Sequence, residues 1–247
     1  MKGVRLSELT WHEAAAAVQT HPIAVIPVGA GTKEHGPHLP CGTDLMVVEE
    51  LARRVAEVCP VILMPALPYG YFPAFIDFPG SVSIRPEYFM GVVGDIIRSL
   101  ARHGTQKFLI LDGGVSTNPP MRTLATILHN ELGIQVALTN ILGLGEQVAK
   151  EISEQESGGH ADEMETSNML VIRPDLVKMD RAVKETMGGA RGGRGAVIPK
   201  VYVAGRMTTK SGINGDATLA TRAKGEKLLA AMAQDIIDFV VEFAKAA

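Results

Sequence analysis

A polar segment that follows an apolar, β-branched run carries side chains that can bind a metal ion. The stretch VIPVGAGTKEHGPHLPCGTD (25–44) contains Glu34, His35, His38 and Asp44. Imidazole and carboxylate groups are ordinary ligands of Zn²⁺, Mn²⁺ and Fe²⁺. Asp44 also stands where a helix is predicted to begin, so backbone N–H groups could hold it in a purely structural cap. From these residues alone, a metal site and an ordinary polar turn are both open.

A second polar cluster, GGHADEMETS (158–167), contains His160, Asp162, Glu163 and Glu165. Acidic residues are favoured in the first turn of a helix by the helix dipole, and this structural explanation suits Asp162 and Glu163. It does not account for a histidine beside two glycines. A catalytic and a structural interpretation of this cluster therefore both stay open.

A third candidate, LDGGVSTNPP (111–120), leaves an apolar strand through paired glycines. Its backbone N–H groups could approach an anion or a carbonyl oxygen, as in an oxyanion hole, or form a simple turn. We predict Gly113, Gly114 and Ser116 as substrate-binding residues, with Tyr71 on an apolar wall. The segment lacks a GxGxxG pattern, a P-loop lysine and a GxSxG elbow, which disfavours nucleotide binding and a serine nucleophile.

These three segments follow apolar runs that alternate with helical patterns, which predicts a parallel sheet covered by helices on both faces. The fold class is therefore α/β, a three-layer α/β/α sandwich. Ligands of such sheets bind beyond the carboxyl ends of the strands, so the polar segments can converge there. The predicted strands are 23–29, 60–66, 108–114 and 134–140, and the predicted helices are 44–57, 86–104, 121–132 and 216–247. Thr10 and Glu13 form a capping-box pattern that predicts a short alanine-rich helix before the first of these strands.

Composition narrows the class of protein. The 247 residues, 46% of them apolar with a net charge of −3, fit one globular α/β domain over 1–247. Dispersed Lys and Arg give no reason to expect nucleic acid or a membrane surface as a partner. Two cysteines and an N-terminus without a secretory apolar region indicate the cytoplasm. A Gly- and Arg-rich stretch at 187–197 predicts a mobile loop.

Four motifs, in the right order and across nearly the whole chain, resemble the creatininase (creatinine amidohydrolase) family. The family pattern PxGSxEQHGPHLPxxTD stands here as PVGAGTKEHGPHLPCGTD, and HAGExETSxML stands as HADEMETSNML. The family segments PYGxS…FPGTxS and SGxxGDPTxATxEKGExxL correspond to PYGYFPAFIDFPGSVSI and SGINGDATLATRAKGEKLL.

The resemblance implies a hydrolase that uses one or two divalent metal ions (Zn, Mn or Fe) to cleave non-peptide C–N bonds in small or cyclic amides. It implies an α/β sandwich, often assembled as a hexamer. By position in the motifs, His35, Asp44 and Glu165 are the predicted metal ligands. Glu34, which stands at the family's glutamine position, is the fourth predicted ligand, as a replacement for the family glutamate. His160 and Glu163 are the predicted catalytic residues, and His38 takes a structural role.

Two positions depart from the family pattern. Lys33 stands where the family has a glutamate ligand, and Gly114 stands where NGHGGN has its metal-binding histidine. Three explanations are open. Glu34 could turn inward and complete a mononuclear site, the Lys33 ammonium could replace the charge of one metal and pair with Asp44, or the catalytic metal could be lost.

The family resemblance associates the creatinine pocket with aromatic residues ahead of the catalytic histidine. Here the stretch KEISEQESGGH before His160 holds no tryptophan, so the substrate is expected to differ from creatinine. The segment YGYFPAFID (69–77) offers an apolar wall instead. The sequence thus favours a metal-dependent amidohydrolase acting on a small, non-peptide amide. The alternative is a metal-depleted binding or assembly protein on the same fold.

Overall fold

A parallel sheet of five strands forms the centre of the molecule, which we describe from a computed structural model covering residues 2–139, 141–187, 207 and 209–246. The strand order is β1-β3-β2-β4-β5, and every neighbouring pair is parallel. The strands are β1 (Val4–Arg5), β2 (Ile23–Val28), β3 (Val61–Leu63), β4 (Lys107–Asp112) and β5 (Gln135–Leu138).

Seven α-helices lie in the described part of the chain. They are α1 (Trp11–Thr20), α2 (Thr43–Val58), α3 (Pro86–Arg102), α4 (Asn118–Leu132), α5 (Glu146–Ile152), α6 (Glu163–Ile172) and α7 (Arg222–Lys245). A two-stranded antiparallel ribbon, β6 (Lys184–Glu185) with β7 (Gly215–Asp216), completes the regular structure.

Alternation along the strands assigns the helices to two layers. In β2, Ile23 and Val25 pack with residues of α2, α6 and α7, whereas Ala24 and Ile26 pack with residues of α1, α3 and α4. Successive side chains of a strand point to opposite faces, so a strand buried on both faces needs a continuous apolar run. The structure confirms the predicted three-layer α/β/α sandwich.

Local sequence signals set most helix boundaries. Thr10 and Glu13 form the reciprocal capping box that the sequence predicts before α1. Gly133 ends α4 with φ at 69°, a left-handed conformation that glycine adopts without strain. Helix α4 begins at Asn118, earlier than predicted, because its prolines occupy the first turn, where no intrahelical N–H donor is needed.

The terminal helix is shorter than predicted. It begins at Arg222, because the Thr221 side chain accepts a hydrogen bond from Lys224 N and caps it there. Asp216 belongs to β7, not to the helix. The predicted mobile loop at 187–197 lies, from residue 188 onward, outside the described residues. Among the helices described, none has the length and apolar character to cross a membrane.

The site-bearing loops leave one edge of the sheet. Val28 and Asp112 are paired at the ends of β2 and β4, so the loops that follow start side by side. A Cβ atom at Gly29 would lie 2.7 Å from the Asp44 carbonyl oxygen, and only glycine permits this approach of α2 to β2. The third segment arrives through a bridge between His160 and Asn214, just before α6.

Candidate metal centre

Asp44 lies buried in the first turn of α2, facing the loop that follows β2. Its Oδ2 atom is 2.6 Å from Lys33 Nζ, and its Oδ1 atom is 2.9 Å from His35 Nε2. The N-cap of α2 is Gly42, and its cap has no side-chain hydrogen bond. The carboxylate of Asp44 therefore faces a buried polar cluster and does not serve as a helix cap.

The electrostatics of this carboxylate reflect its two neighbours. Burial by itself would raise the pKa of Asp44, since the charged form loses its water. The Lys33 ammonium and His35 outweigh that effect and hold the pKa of Asp44 well below its usual range. Asp44 is therefore ionised at neutral pH.

His35 is held so that its Nε2 atom points at carboxylates. Its Nδ1 atom lies 3.2 Å from the Lys33 carbonyl oxygen, which can only accept, so Nδ1 carries the proton. Nε2 lies 2.9 Å from Asp44 Oδ1, and this buried atom has no aligned hydrogen-bond partner among the described residues. Without a proton on Nε2, the two atoms face each other as lone pairs. Two facing lone pairs repel unless a cation or a proton lies between them.

Glu165 and His160 close the other side of this cluster. Glu165 Oε2 is 3.9 Å from His35 Nε2 and 3.8 Å from His160 Nδ1. Ala161 N donates to the same Glu165 oxygen at 2.5 Å, and Ala161 has φ of 48°, an uncommon value for a residue with a Cβ atom. Ligand atoms of His35, His160 and Glu165 all lie within 4.8 Å of one another.

This donor set fits a divalent cation. Imidazole nitrogen and carboxylate oxygen suit Zn²⁺ and Mn²⁺, and a ligating histidine commonly donates its other N–H to a backbone carbonyl, as His35 does. His35 Nε2 has no aligned hydrogen-bond partner among the described residues and lies beside oxygens of Asp44 and Glu165, so a bound cation would satisfy this buried nitrogen.

His160 is oriented by Glu34. Its Nε2 atom lies 3.0 Å from Glu34 Oε2 and 3.0 Å from the Glu34 carbonyl oxygen, so two acceptors place the proton on Nε2. The ring also packs on Phe75, with ring centroids 4.4 Å apart. Nδ1 is therefore the basic atom, and it faces Glu165.

The carboxylate of Glu34 is occupied by these contacts. Besides His160, it accepts from Gly36 N. Burial tends to raise the pKa of Glu34, but the hydrogen bond and charge of His160 outweigh it, and the pKa is lowered. These contacts favour a role for Glu34 as the partner of His160 over the role of metal ligand that the sequence predicted.

Glu163, predicted as catalytic, has its contacts elsewhere. Its carboxylate accepts from Ser153 Oγ, Glu154 N and Gln155 N at 2.9 to 3.1 Å, and it pairs with Lys224 of α7. Its neighbour Asp162 caps α6 by accepting from two backbone N–H groups. For these two residues the contacts support the structural interpretation.

The glycine loop after β4 uses its own donors. Gly113 N donates to the Val28 carbonyl oxygen at 2.9 Å, and Gly114 N donates to Asp112 Oδ1 at 3.0 Å. These N–H groups are committed within the loop, which argues against the expected oxyanion hole. Ser116 is half-buried in the same turn, and Tyr71 packs against the core formed by α3 and α4.

His38 has the structural contacts expected of it. Its Nε2 atom lies 2.8 Å from Thr166 Oγ1 on α6, and the residue is buried. Burial, followed by the charge of His35, lowers the pKa of His38 to about 4. The ring is therefore neutral at pH 7 and joins the first loop to α6.

Two features of the site were not predicted. Phe72 and Phe75 flank the Lys33 ammonium, with Nζ 5.5 Å and 4.8 Å from the ring centroids. Asp112 is fully buried at the end of β4, and burial raises its pKa to about 6. An aspartate that ends an apolar strand was the signal in the sequence for this second carboxyl.

Comparison with known proteins places these residues in a family setting. The family model described as creatinine amidohydrolase matches residues 7–240. A creatinine amidohydrolase from Pseudomonas putida is 31% identical over 262 residues, covering 98% of this chain and 97% of the relative. A mycofactocin precursor peptide peptidase from Mycobacterium tuberculosis is 28% identical over 234 residues, covering 88% and 84%.

Solved creatininases superpose on the whole chain. A mutant creatininase of the Zn-Zn type has a TM-score of 0.85 at 30% identity and covers 100% of both chains. A mutant creatininase complexed with creatine also has a TM-score of 0.85 at 30% identity, covering 99% of this chain and 100% of the other. The manganese form has a TM-score of 0.80 at 29% identity, covering 99% and 100%. With the order of motifs, the shared sandwich and the buried histidine and carboxylate cluster, these matches show that the chain is a hydrolase of the creatininase family.

Proposed function

We propose that this chain is a metal-dependent amidohydrolase that cleaves a non-peptide C–N bond of a small linear or cyclic amide. The carrying observation is the buried Nε2 atom of His35, which lacks an aligned hydrogen-bond partner among the described residues and faces Asp44 Oδ1 and Glu165 Oε2 at 2.9 and 3.9 Å. A polar atom buried in this way costs free energy unless something satisfies it. A bound divalent cation does so with the ligands already present.

In this function His35, Asp44 and Glu165 hold the metal. A divalent cation bound there supplies Lewis acidity toward a carbonyl oxygen and lowers the pKa of water. The chain contributes low exposure as well, because His35 is 1% and Asp44 is 5% exposed. Electrostatic interactions are stronger in such a water-poor site than at a surface.

His160 carries the proton. Glu34 and its carbonyl oxygen keep the proton of the resting ring on Nε2, so Nδ1 can take a proton from the attacking water and return it to the leaving nitrogen. Glu34 also stabilises the imidazolium formed in between, as a carboxylate behind a catalytic histidine does. Glu34 is thus a positioning residue for His160.

The choice of a small amide over a peptide is supported by the low exposure of the cluster. Among His35, His160 and Glu165, only Glu165 has substantial exposure, 36% of its side chain. Phe72 and Phe75 stand on the apolar side of Lys33. A flat, compact amide suits this buried cluster better than an extended backbone.

The test combines metal loading with one variant. Protein stripped by a chelator and reloaded with Zn²⁺ or Mn²⁺ is assayed against a panel of small linear and cyclic amides, and turnover is expected only after reloading. His160→Ala should keep the metal content and lose about 10²- to 10⁴-fold in kcat. His103→Ala, on an exposed residue at the end of α3, is the matched control and should match the wild type.

Two results would contradict the proposal. If the reloaded protein retains no metal and hydrolyses none of the amides, the non-catalytic binding protein becomes the better description. If His160→Ala loses the metal together with turnover, His160 is a ligand and not the proton carrier. The hexamer and the cytoplasm stay predictions, which light scattering and cell fractionation can check.

A further inference from the structure

Lys33 places a buried positive charge inside the candidate metal centre. Its ammonium lies 2.6 Å from Asp44 Oδ2, and the two side chains are 7% and 5% exposed. Phe72 and Phe75 present their rings to the same Nζ atom at 5.5 and 4.8 Å, which is within the range of a cation–π contact. The ammonium is therefore enclosed by a carboxylate and two aromatic faces.

Two hydrogen bonds of the Lys33 backbone hold the loop that carries its side chain. Lys33 N donates to the Cys41 carbonyl oxygen at 2.9 Å, and the Lys33 carbonyl oxygen accepts from His35 Nδ1 at 3.2 Å. The loop that orients His35 toward the metal thus also holds Lys33. The backbone of this loop therefore fixes both the orientation of the His35 ring and the position from which the Lys33 side chain reaches Asp44.

The Asp44 carboxylate is divided between two positive partners. Oδ2 pairs with the ammonium, and Oδ1 faces His35 Nε2, where the candidate cation would bind. A carboxylate used in this way bridges two charges, as a bridging carboxylate does between two metal ions. Here one of the two bridged charges belongs to the protein itself.

Position 114, in the glycine loop after β4, offers no replacement ligand. Gly114 has no side chain, and a Cβ atom there would lie 2.5 Å from Thr117 Oγ1 and 3.2 Å from Phe72 Cε1. A larger residue would meet both the threonine and the ring that covers Lys33. A second ion therefore lacks both the Asp44 oxygen that Lys33 occupies and a ligand at position 114.

We propose that this protein binds one divalent cation per chain, and that the Lys33 ammonium fills the place at which a second cation would share the carboxylate of Asp44. This rests on the proposed metal centre of His35, Asp44 and Glu165. It separates this chain from its structural neighbour of the Zn-Zn type. A fixed ammonium neutralises Asp44 without dependence on metal supply.

The experiment counts metal ions and tests whether they are coupled. Wild-type protein saturated with Mn²⁺ and dialysed should hold one ion per chain by mass spectrometry, with an electron paramagnetic resonance spectrum of an isolated ion. Lys33→Glu exchanges the ammonium for a carboxylate and should bind a second ion, coupled to the first. Lys33→Met, similar in length but without charge or ligand, should stay at one.

The outcomes separate this inference from the proposed function. Two coupled ions in the wild type would overturn the inference and leave the hydrolase proposal standing. One ion without turnover on any amide would support the inference and count against the proposed function. No bound ion in the wild type would overturn both. A folded Lys33→Glu that stays at one ion would overturn the role given to Lys33. If that variant misfolds, the count on the wild type still tests the stoichiometry.

Discussion

Among the described residues, two lysine–carboxylate pairs lie out of solvent, and they differ in what surrounds the carboxylate. Lys33 pairs with Asp44 at the carboxyl edge of the sheet, where the side chains are 7% and 5% exposed. Lys224 of α7 pairs with Glu163 of α6, where they are 12% and 0% exposed. Charge and burial alone do not distinguish them.

The hydrogen bonds do distinguish them. Glu163 accepts from one hydroxyl and two backbone N–H groups in addition to Lys224, so its lone pairs are satisfied. Asp44 pairs with the Lys33 ammonium through Oδ2 alone, and its Oδ1 faces His35 Nε2, which has no aligned hydrogen-bond partner among the residues described. A saturated buried carboxylate anchors structure, whereas an unsaturated one beside an imidazole lone pair can still bind a cation.

The largest effect is expected at the unsaturated pair. His35→Ala removes the lone pair that faces Asp44 and Glu165, so the metal content should fall to near zero and turnover by at least about 10³-fold. Metal analysis and steady-state kinetics measure both, with His103→Ala as the control. If His35→Ala retains one ion per chain, the difference in hydrogen bonding between Asp44 and Glu163 does not identify the metal site.

The saturated pair should respond in stability. Glu163→Ala leaves Lys224 and three donors without their carboxylate, and the free energy of unfolding should fall by about 3–5 kcal/mol. On α7, the helix of Lys224, Glu226→Ala breaks the exposed pair with Arg222 and should lower the free energy of unfolding by only about 0.3–0.5 kcal/mol. Urea denaturation of both variants gives the comparison, and equal losses would contradict the structural role of Glu163.

Metal should stabilise the protein through only one of the two regions. At a free concentration about 100 times its dissociation constant, a bound ion adds about 2.7 kcal/mol to the free energy of unfolding. We expect this gain in the wild type and in Glu163→Gln, and none in His35→Ala. Thermal unfolding with and without Mn²⁺ measures it, and an absent gain in Glu163→Gln would link the two regions.

The smallest effect concerns Asp112, a third buried carboxyl at the sheet edge. Burial, with a contribution from Asp44, raises its pKa to about 6 against an unfolded value near 3.9. The folded protein thus holds a proton that the unfolded chain releases, so this carboxyl favours folding at low pH, and that advantage disappears as the pH rises through about 6.

Asp112→Asn removes this dependence. Relative to the wild type, the variant should gain roughly 1–3 kcal/mol in the free energy of unfolding between about pH 4 and pH 8. Asp175→Asn, at a surface aspartate paired with Arg173, should show no such gain. Urea denaturation across the pH range measures the difference, and a flat difference for Asp112→Asn would show that the carboxyl is ionised throughout.

Much of the fold could be predicted from local patterns, because the signals are short-range. Continuous apolar runs gave β2 and β4 within one or two residues, and the Thr10–Glu13 capping box gave the start of α1. The short strands β6 and β7 were missed, since two-residue strands carry no periodicity. Asp216, the end of β7, was assigned to the terminal helix. The sequence pattern does not show that the helix is capped at Thr221, because the cap depends on the backbone conformation there.

The candidate site was predicted in part. His35, Asp44, His160 and Glu165 were singled out by residue type and motif, and they lie together in the structure. The contacts of Glu34 and Glu163 could not be predicted, because a carboxylate beside a candidate ligand looks the same in sequence whether its donors are backbone N–H groups or a metal.

The sequence by itself determined the family, the order of layers and the presence of a lysine in the ligand-rich loop. It did so because hydrophobic period, capping residues and motif spacing are properties of neighbours along the chain. Only the tertiary structure decided that Lys33 pairs with Asp44, that Glu34 holds His160, and that Glu163 is saturated. Those choices depend on which donor lies within about 3 Å of which oxygen, and segments as distant as residues 34 and 160 must fold together before that distance exists.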